Sequence, residues 1–181
     1  MENRISMEEA ERLFAEYSLF VFRSAYVLTK SKSLADDITQ ETFIKIYMKI
    51  GTLDRTKPIR PWIYKIMLNT ARNMLRKQKW LVLIGQVPET EEEVPVEETV
   101  LRDEASEELL REIERLPHKS KEIIMLHFYG ELKLYEIAEI LNIPIGTCKS
   151  RLNRALMSLR NRLPRSNVYG FTKRGELYGE K

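Results

Sequence analysis

Cysteine is nearly absent. Cys148 is the only one in 181 residues, so the chain has no internal disulfide and no thiolate metal cluster, and His118 and His127 alone make a poor zinc site. This argues against secretion and against structural zinc. Glycine and proline are scarce, seven of each, too few for a low-complexity or collagen-like chain. No run approaches the roughly 18 uninterrupted apolar residues of a spanning helix. The start MENRISMEEAERL also lacks a basic segment followed by an apolar one. The expectation is a cytoplasmic protein with no membrane insertion. What is present is 43% hydrophobic and 31% charged residues, a balance that suits a folded helical protein of one ordinary domain or two small ones.

The net charge of +3 hides an asymmetry. Residues 1–85 carry 15 basic and 9 acidic groups, residues 86–115 carry 3 and 12, and residues 116–181 carry 12 and 6. Two basic halves therefore flank an acidic bridge. Within the halves, residues 55–88 and 141–175 each hold eight Lys or Arg and no carboxylate, which makes them candidate polyanion-binding faces. The bridge QVPETEEEVPVEETV has two prolines and no helical apolar period, the pattern of a flexible acidic linker.

Apolar residues recur at helical spacing in 8–29, 34–50 and 62–80, and again in 104–116, 119–129, 134–141 and 146–163. Breakers separate these runs at Gly51, Pro58 and Pro61, then at Pro117, Gly130 and Pro144. No period-2 run rich in β-branched residues occurs. The expected fold is all-α, with two small helical domains at 1–82 and 104–164, a linker at 83–103 and a tail at 165–181.

In the second domain, LYEIAEILNIPIGTCKSRLNRALMSLRNRL reads as a short helix, a turn at residues 142–145 and a longer helix. At 100° per residue, Cys148, Leu152, Ala155, Leu156, Leu159 and Leu163 fall within one arc of about 100°. Ser150, Arg154 and Asn161 centre the opposite side, with Thr147, Lys149, Arg151, Asn153 and Arg160 around them. That face offers donors and no carboxylate. A major groove admits one helix, where Arg or Lys can bind guanine edges and Ser or Thr can reach phosphates. Cys148, on the packed face, reads as a small core residue.

The first domain carries a different basic helix. In RPWIYKIMLNTARNMLRKQKW, residues Lys65, Asn69, Arg72, Arg76 and Lys79 line one stripe, and Ile63, Ile66, Met67, Thr70 and Met74 line another. Trp62, Tyr64 and Trp80 flank the basic stripe, and base-on-aromatic stacking suits unpaired strands. Trp62 and Tyr64 would equally serve as core anchors at the helix start. The loop GTLDRTKPIRP before it is basic and proline-stiffened, either a pocket for an extruded base or an ordinary connection. Upstream, in SLADDITQETFIKIYMKI, Ser33 is placed to cap a helix, with Asp36 and Asp37 near its positive end. Asp37, Gln40 and Glu41 then form an acidic ridge that would repel DNA phosphate, either a docking face for a basic protein surface or an ordinary solvated face.

These motifs, in this order, resemble the bacterial RNA polymerase sigma factors of the extracytoplasmic-function group of the sigma-70 family, over nearly the whole chain to about Leu163. DDITQETF is similar to the region that grips the clamp helices of core RNA polymerase, and the resemblance implies Asp37, Gln40, Glu41 and Phe43 as core-binding residues. PWIYKIMLNTARNMLR resembles the promoter-melting, minus-10 reading helix. Arg60, Trp62, Lys65, Asn69, Arg72 and Arg76 are the implied minus-10 residues, and the preceding loop matches the place where the family captures a flipped base. LPHKSKEIIMLHFYGELKLYEIAEILNIPIGTCKSRLNRAL resembles the minus-35 reading domain, which implies Thr147, Lys149, Ser150, Arg151 and Arg154 as its DNA contacts. Departures from the pattern are Asn73 for a usual Asp, Lys133 where a Ser often caps the first helix of the motif, and Cys148 for a usual Val.

On this resemblance the protein is a transcription initiation subunit with no cofactor, no metal and no catalytic site of its own. Its partners are core RNA polymerase, promoter DNA and, as a family inference, an anti-sigma factor. A linker of about 20 residues spans at most roughly 65 to 70 Å, about 20 base pairs. Two other classes compete. A stand-alone helix-turn-helix regulator would leave the acidic ridge and the aromatic-basic helix unused. A nucleic-acid-processing enzyme would need clustered carboxylates or a nucleophile with a base, and Asp36, Asp37 and Glu41 are the only compact carboxylate group, with no His near them in sequence.

Overall fold

A computed structural model describes residues 5–83 and 104–163. Every regular element among the described residues is helical, and the chain divides between Pro95 and Val96 into two compact units. The all-α architecture is therefore as expected, with its division inside the acidic stretch. Residues 84–103 of the linker and the tail from residue 164 lie outside the described residues.

In the first unit, α1 (Met7–Thr29), α2 (Lys32–Lys49) and α3 (Ile59–Leu83) pack together, with a short 3₁₀ turn (Ile50–Thr52) after α2. α1 starts where Ser6 Oγ accepts the Glu9 N–H at 3.1 Å. It stops at Lys30, whose left-handed backbone (φ 58°) turns the chain. Its buried residues Leu13, Tyr17, Val21, Ala25 and Leu28 recur every three or four positions, as one helical face requires. Ala35, Ile38, Thr39, Thr42, Phe43 and Ile46 supply the matching face of α2. Two threonines on that face keep its apolar pattern faint in sequence, and Thr39 meets its hydroxyl's need by donating to Ala35 O at 2.7 Å. Ile38, Ile46, Ile63 and Met67 are fully buried, each contributing roughly 1.5 to 3 kcal/mol of transfer free energy.

Two expectations about boundaries change here. Ser31, not Ser33, caps α2: its Oγ accepts the Leu34 N–H at 3.2 Å. Asp36 and Asp37 consequently lie beyond the first turn, where the positive end of the helix has faded. Pro61 does not break α3 but sits as its third residue, because first-turn N–H groups have no intrahelical acceptor to lose.

In the second unit, α4 (Glu104–Glu114), α5 (His118–Ile124), α6 (Leu134–Leu141) and α7 (Ile145–Arg162) enclose a core of Ile113, Ile123, Ile124, Leu126, Ile137, Cys148 and Leu159. α5 does not end plainly at Gly130. Its continuation Met125–Tyr129 widens into a π-helical turn, closed by Gly130 N–H donating to Met125 O at 2.9 Å. The left-handed residue is Glu131 (φ 54°) and not the glycine. Leu132 N–H then reaches Leu126 O at 3.1 Å, and buried His127 places Nδ1 3.0 Å from Leu132 O. That last bond ties the loop entering α6 to the wide turn.

Lys133 stands at the N-cap of α6, and its ammonium, a donor only, caps nothing. Half of a capping box remains, with Lys133 N–H donating to Glu136 Oε2 at 2.8 Å. α6 ends at Asn142, left-handed at φ 53°. There the Ile143 N–H closes back on Ala138 O at 3.0 Å, the six-to-one bond of a Schellman stop. Three residues later α7 starts, so α6, the turn and α7 form the expected helix-turn-helix.

Candidate nucleic-acid interface

α7 sorts its residues by side. Cys148 has no exposure, and Leu152, Ala155, Leu159 and Leu163 are buried. Leu156 is half-buried at the margin. Opposite them Lys149 and Arg154 are exposed, while Thr147, Ser150 and Arg151 are half-buried beside them. Ser150 Oγ donates to Thr147 O at 3.1 Å, and Arg154 Nη2 stands 3.4 Å from Ser150 Oγ one turn on. All five residues expected at the minus-35 face thus lie along the first three turns of one helix. Burial pushes the Cys148 thiol above its usual range, opposed by the nearby Arg151 guanidinium. The sulfur is a packed, neutral group.

On α3, Lys65, Asn69 and Arg76 are exposed and Arg72 half-buried. Arg76 Nη2 donates to Asn73 Oδ1 at 3.3 Å, so the residue that departs from the family pattern orients a cation of the stripe. Trp62 is half-buried. Tyr64 is not on this face: it is 3% exposed, its ring 4.0 Å from that of Phe20 and edge-on to Tyr17 at 6.4 Å. Of the two roles open to Tyr64 in sequence, core anchor is the one it fills. Arg60 is exposed and hydrogen-bonds the Tyr17 hydroxyl, which burial, aided by Glu16, holds above the ordinary phenol range. The loop before α3 is set by Asp54, whose Oδ1 accepts from Thr56 Oγ1 at 2.6 Å and Thr56 N–H at 3.1 Å. These bonds hold its carboxyl below the usual range. Arg55 reaches Glu9 Oε1 at 3.5 Å, pinning that loop to α1.

Asp37 and Gln40 are exposed on α2, and Glu41 is half-buried. Phe43, expected beside them, is 3% exposed, with its ring 4.8 Å from Phe14 and 6.0 Å from Tyr47, so it packs in the core beneath that surface. Sequence reasoning overlooked Lys45, which is 3.0 Å from Glu41 Oε1 and 3.3 Å from Thr70 Oγ1. The i, i+4 spacing from Glu41 was the available signal.

An acidic ridge and a carboxylate-free basic helix in one unit, with a helix-turn-helix in the next, define a DNA-binding protein of two separately folded helical parts. Known families narrow this. Residues 13–81 match the family model for Sigma-70 region 2, and residues 106–159 match that for Sigma-70, region 4. The chain is 34% identical over 154 residues to the ECF RNA polymerase sigma factor SigW of Bacillus subtilis, which takes in 79% of this chain and 82% of that protein. It is 34% identical over 148 residues to SigV of the same organism, covering 81% and 86%. In fold it is similar to the sigma factor RpoE solved with the anti-sigma factor NepR from Bartonella quintana, at TM-score 0.68 and 19% identity, covering 83% and 94%. CnrH, solved with the cytosolic domain of CnrY, gives 0.62 and 20%, covering 86% and 88%.

The chain belongs to the sigma-70 family, in its ECF group: it is an RNA polymerase sigma factor that directs promoter-specific transcription. A stand-alone regulator would leave the region 2 match over residues 13–81 without a purpose. No helix among the described residues is long and apolar enough to cross a membrane.

Proposed function

We propose that residues 1–82 bind core polymerase and the minus-10 element, that residues 104–164 read the minus-35 element, and that residues 83–103 connect them. Asp37, Gln40 and Glu41 make the polymerase contact, with Phe43 positioning them from the core. Arg60, Trp62, Lys65, Asn69, Arg72 and Arg76 bind the minus-10 strand. Thr147, Lys149, Ser150, Arg151 and Arg154 dock on the minus-35 duplex. The observation that carries this reading is α7, where Cys148, Leu152, Ala155 and Leu159 are buried and Lys149 and Arg154 stand exposed opposite.

The chain supplies promoter choice and strand opening, and core polymerase supplies the chemistry and its magnesium. This chain is therefore not itself an enzyme, and it works in the cytoplasm, where polymerase and promoter are. An anti-sigma factor is a further partner, supported by the two fold neighbours, both solved with a partner protein and one of these an anti-sigma factor by name. Core-dependent transcription from a defined promoter tests the assignment. Alanine at Asp37, Gln40 and Glu41 together should abolish co-purification with core and leave helical content intact. Alanine at Lys149 or Arg154 should preserve core binding and lower minus-35 occupancy. Undiminished core binding by the first variant overturns the ridge assignment, and unchanged minus-35 binding by both of the others overturns the docking face.

A further inference from the structure

The basic face of α3 carries a large aromatic side chain that the promoter assignment leaves unused. Trp80 is 60% exposed, while Tyr64 is buried and Trp62 half-buried. Trp80 stands eighteen residues from Trp62 within one continuous helix. Eighteen residues make five turns at 3.6 per turn, so the two indoles leave α3 on the same side, about 27 Å apart along its axis. Between them on that side run Lys65, Asn69, Asn73 and Arg76. Lys77 and Lys79 are exposed next to Trp80, and no carboxylate occurs anywhere in residues 55–88.

We propose that Trp80 is a second nucleobase-stacking site, holding an unpaired base of the opened promoter strand at the far end of α3 from Trp62. This rests on the reading of α3 as the minus-10 strand face. Charge selects the occupant. An apolar protein surface would cover the indole but leave Arg76, Lys77 and Lys79 facing it without counter-charge. A single strand meets both needs, since its base offers a π-face to the ring while its phosphates neutralise the cations. Paired DNA keeps its base faces stacked inside the duplex, so the ring discriminates for the open form. At about 3.4 Å per stacked nucleotide, the distance between the indoles corresponds to roughly eight nucleotides. The open strand is then gripped at both ends of one helix, with the cations and amides between.

The test uses the full chain in complex with core polymerase and a promoter that the complex transcribes, made in two forms: one with a mismatched bubble across the minus-10 segment and one fully paired. Trp80→Ala should weaken binding to the bubble form about tenfold, within the range for loss of one stacked base, and Trp80→Phe should restore most of it. Binding to the paired form at low temperature, before opening, should change far less. Arg76→Ala, run in parallel, reports on the underlying reading. If Arg76→Ala weakens bubble binding and Trp80→Ala does not, stacking at Trp80 is overturned and the reading of α3 stands. If neither does, both fall. Equal losses for Trp80→Phe and Trp80→Ala also overturn it, as does a Trp80→Ala defect that lies wholly in association with core polymerase, which would mark the indole as a protein contact.

Discussion

Lys45 grips Glu41 across one turn of α2, Nζ to Oε1 at 3.0 Å, and on its other side meets Thr70 Oγ1 of α3 at 3.3 Å. The half-buried carboxylate of the proposed polymerase-binding ridge is thereby tied to α3, the helix proposed to face promoter DNA. Both ends of the pair are about one third exposed, so its direct contribution to stability is a few tenths of a kcal/mol.

Replacing Lys45 by Met should therefore leave the fold intact while removing a cation that offsets the ridge. Association with core polymerase should speed up about two- to threefold at low salt, with the gain fading as the Debye length shortens. Alanine at Asp37 should do the reverse. Stopped-flow association rates across a salt series check this, and a rate unaffected by either change would mean that the ridge does not steer the encounter.

On α7, Arg154 reaches Ser150 one turn away and Lys149 is exposed nearby, and substitutions of Lys149 and Arg154 should separate into two behaviours. Loss of a base-edge contact should cost about 1 to 3 kcal/mol and relax preference at one base pair. Loss of a phosphate contact should weaken all sequences alike and reduce the salt slope by about one. Competition binding of duplex variants at two or more salt concentrations assigns Lys149 and Arg154 to one behaviour or the other.

Cys148 makes the stability of the second unit depend on alkaline pH. Its thiol is held above the usual range by burial, so the folded state keeps a proton that the unfolded state releases once pH exceeds about 8.5. The stabilisation is fully present below that value and is lost as pH rises toward the folded-state value. Unfolding free energy followed by urea from pH 7 to 10 should fall more steeply for the native sequence than for Cys148→Val. Identical pH profiles would place the thiol in contact with solvent.

Glu112 of α4 is nearly buried and lies between Arg115, in its own turn, and Arg162 at the end of α7, whose Nη1 is 3.5 Å from Glu112 Oε2. Arg162 is about half exposed, so its replacement by Ala should cost only about 0.5 to 1 kcal/mol. Removing the carboxylate with Glu112→Ala should cost about the same, because both guanidiniums it abandons reach water. Cys148 is the only thiol in the chain, so thiol labelling reads opening of the second unit directly. Either variant should label about two- to fivefold faster than the native protein under exchange where reclosing is fast.

Among the described residues the main helical segments, the helix-turn-helix, the opposed faces of α7 and the basic stripe of α3 were legible in the linear pattern. Each depends on a period of 3.6 residues and on which side chains water rejects, and these are properties of a segment by itself. Caps and turns were only partly legible. Ser33 was the cap the local pattern suggested for α2, and Ser31, two residues earlier, takes that role. Gly130 is the natural left-handed residue, yet the wide turn at residues 125–129 and the bond from His127 to Leu132 move that conformation to Glu131. What only tertiary structure decided was which aromatic and charged residues stay available. Tyr64 and Phe43 fill the space between helices with Phe20 and Phe14, Lys45 spans from α2 to α3, and Trp80 is left in water. Those outcomes depend on volumes and distances between segments far apart in the chain, and a one-dimensional period carries no measure of either.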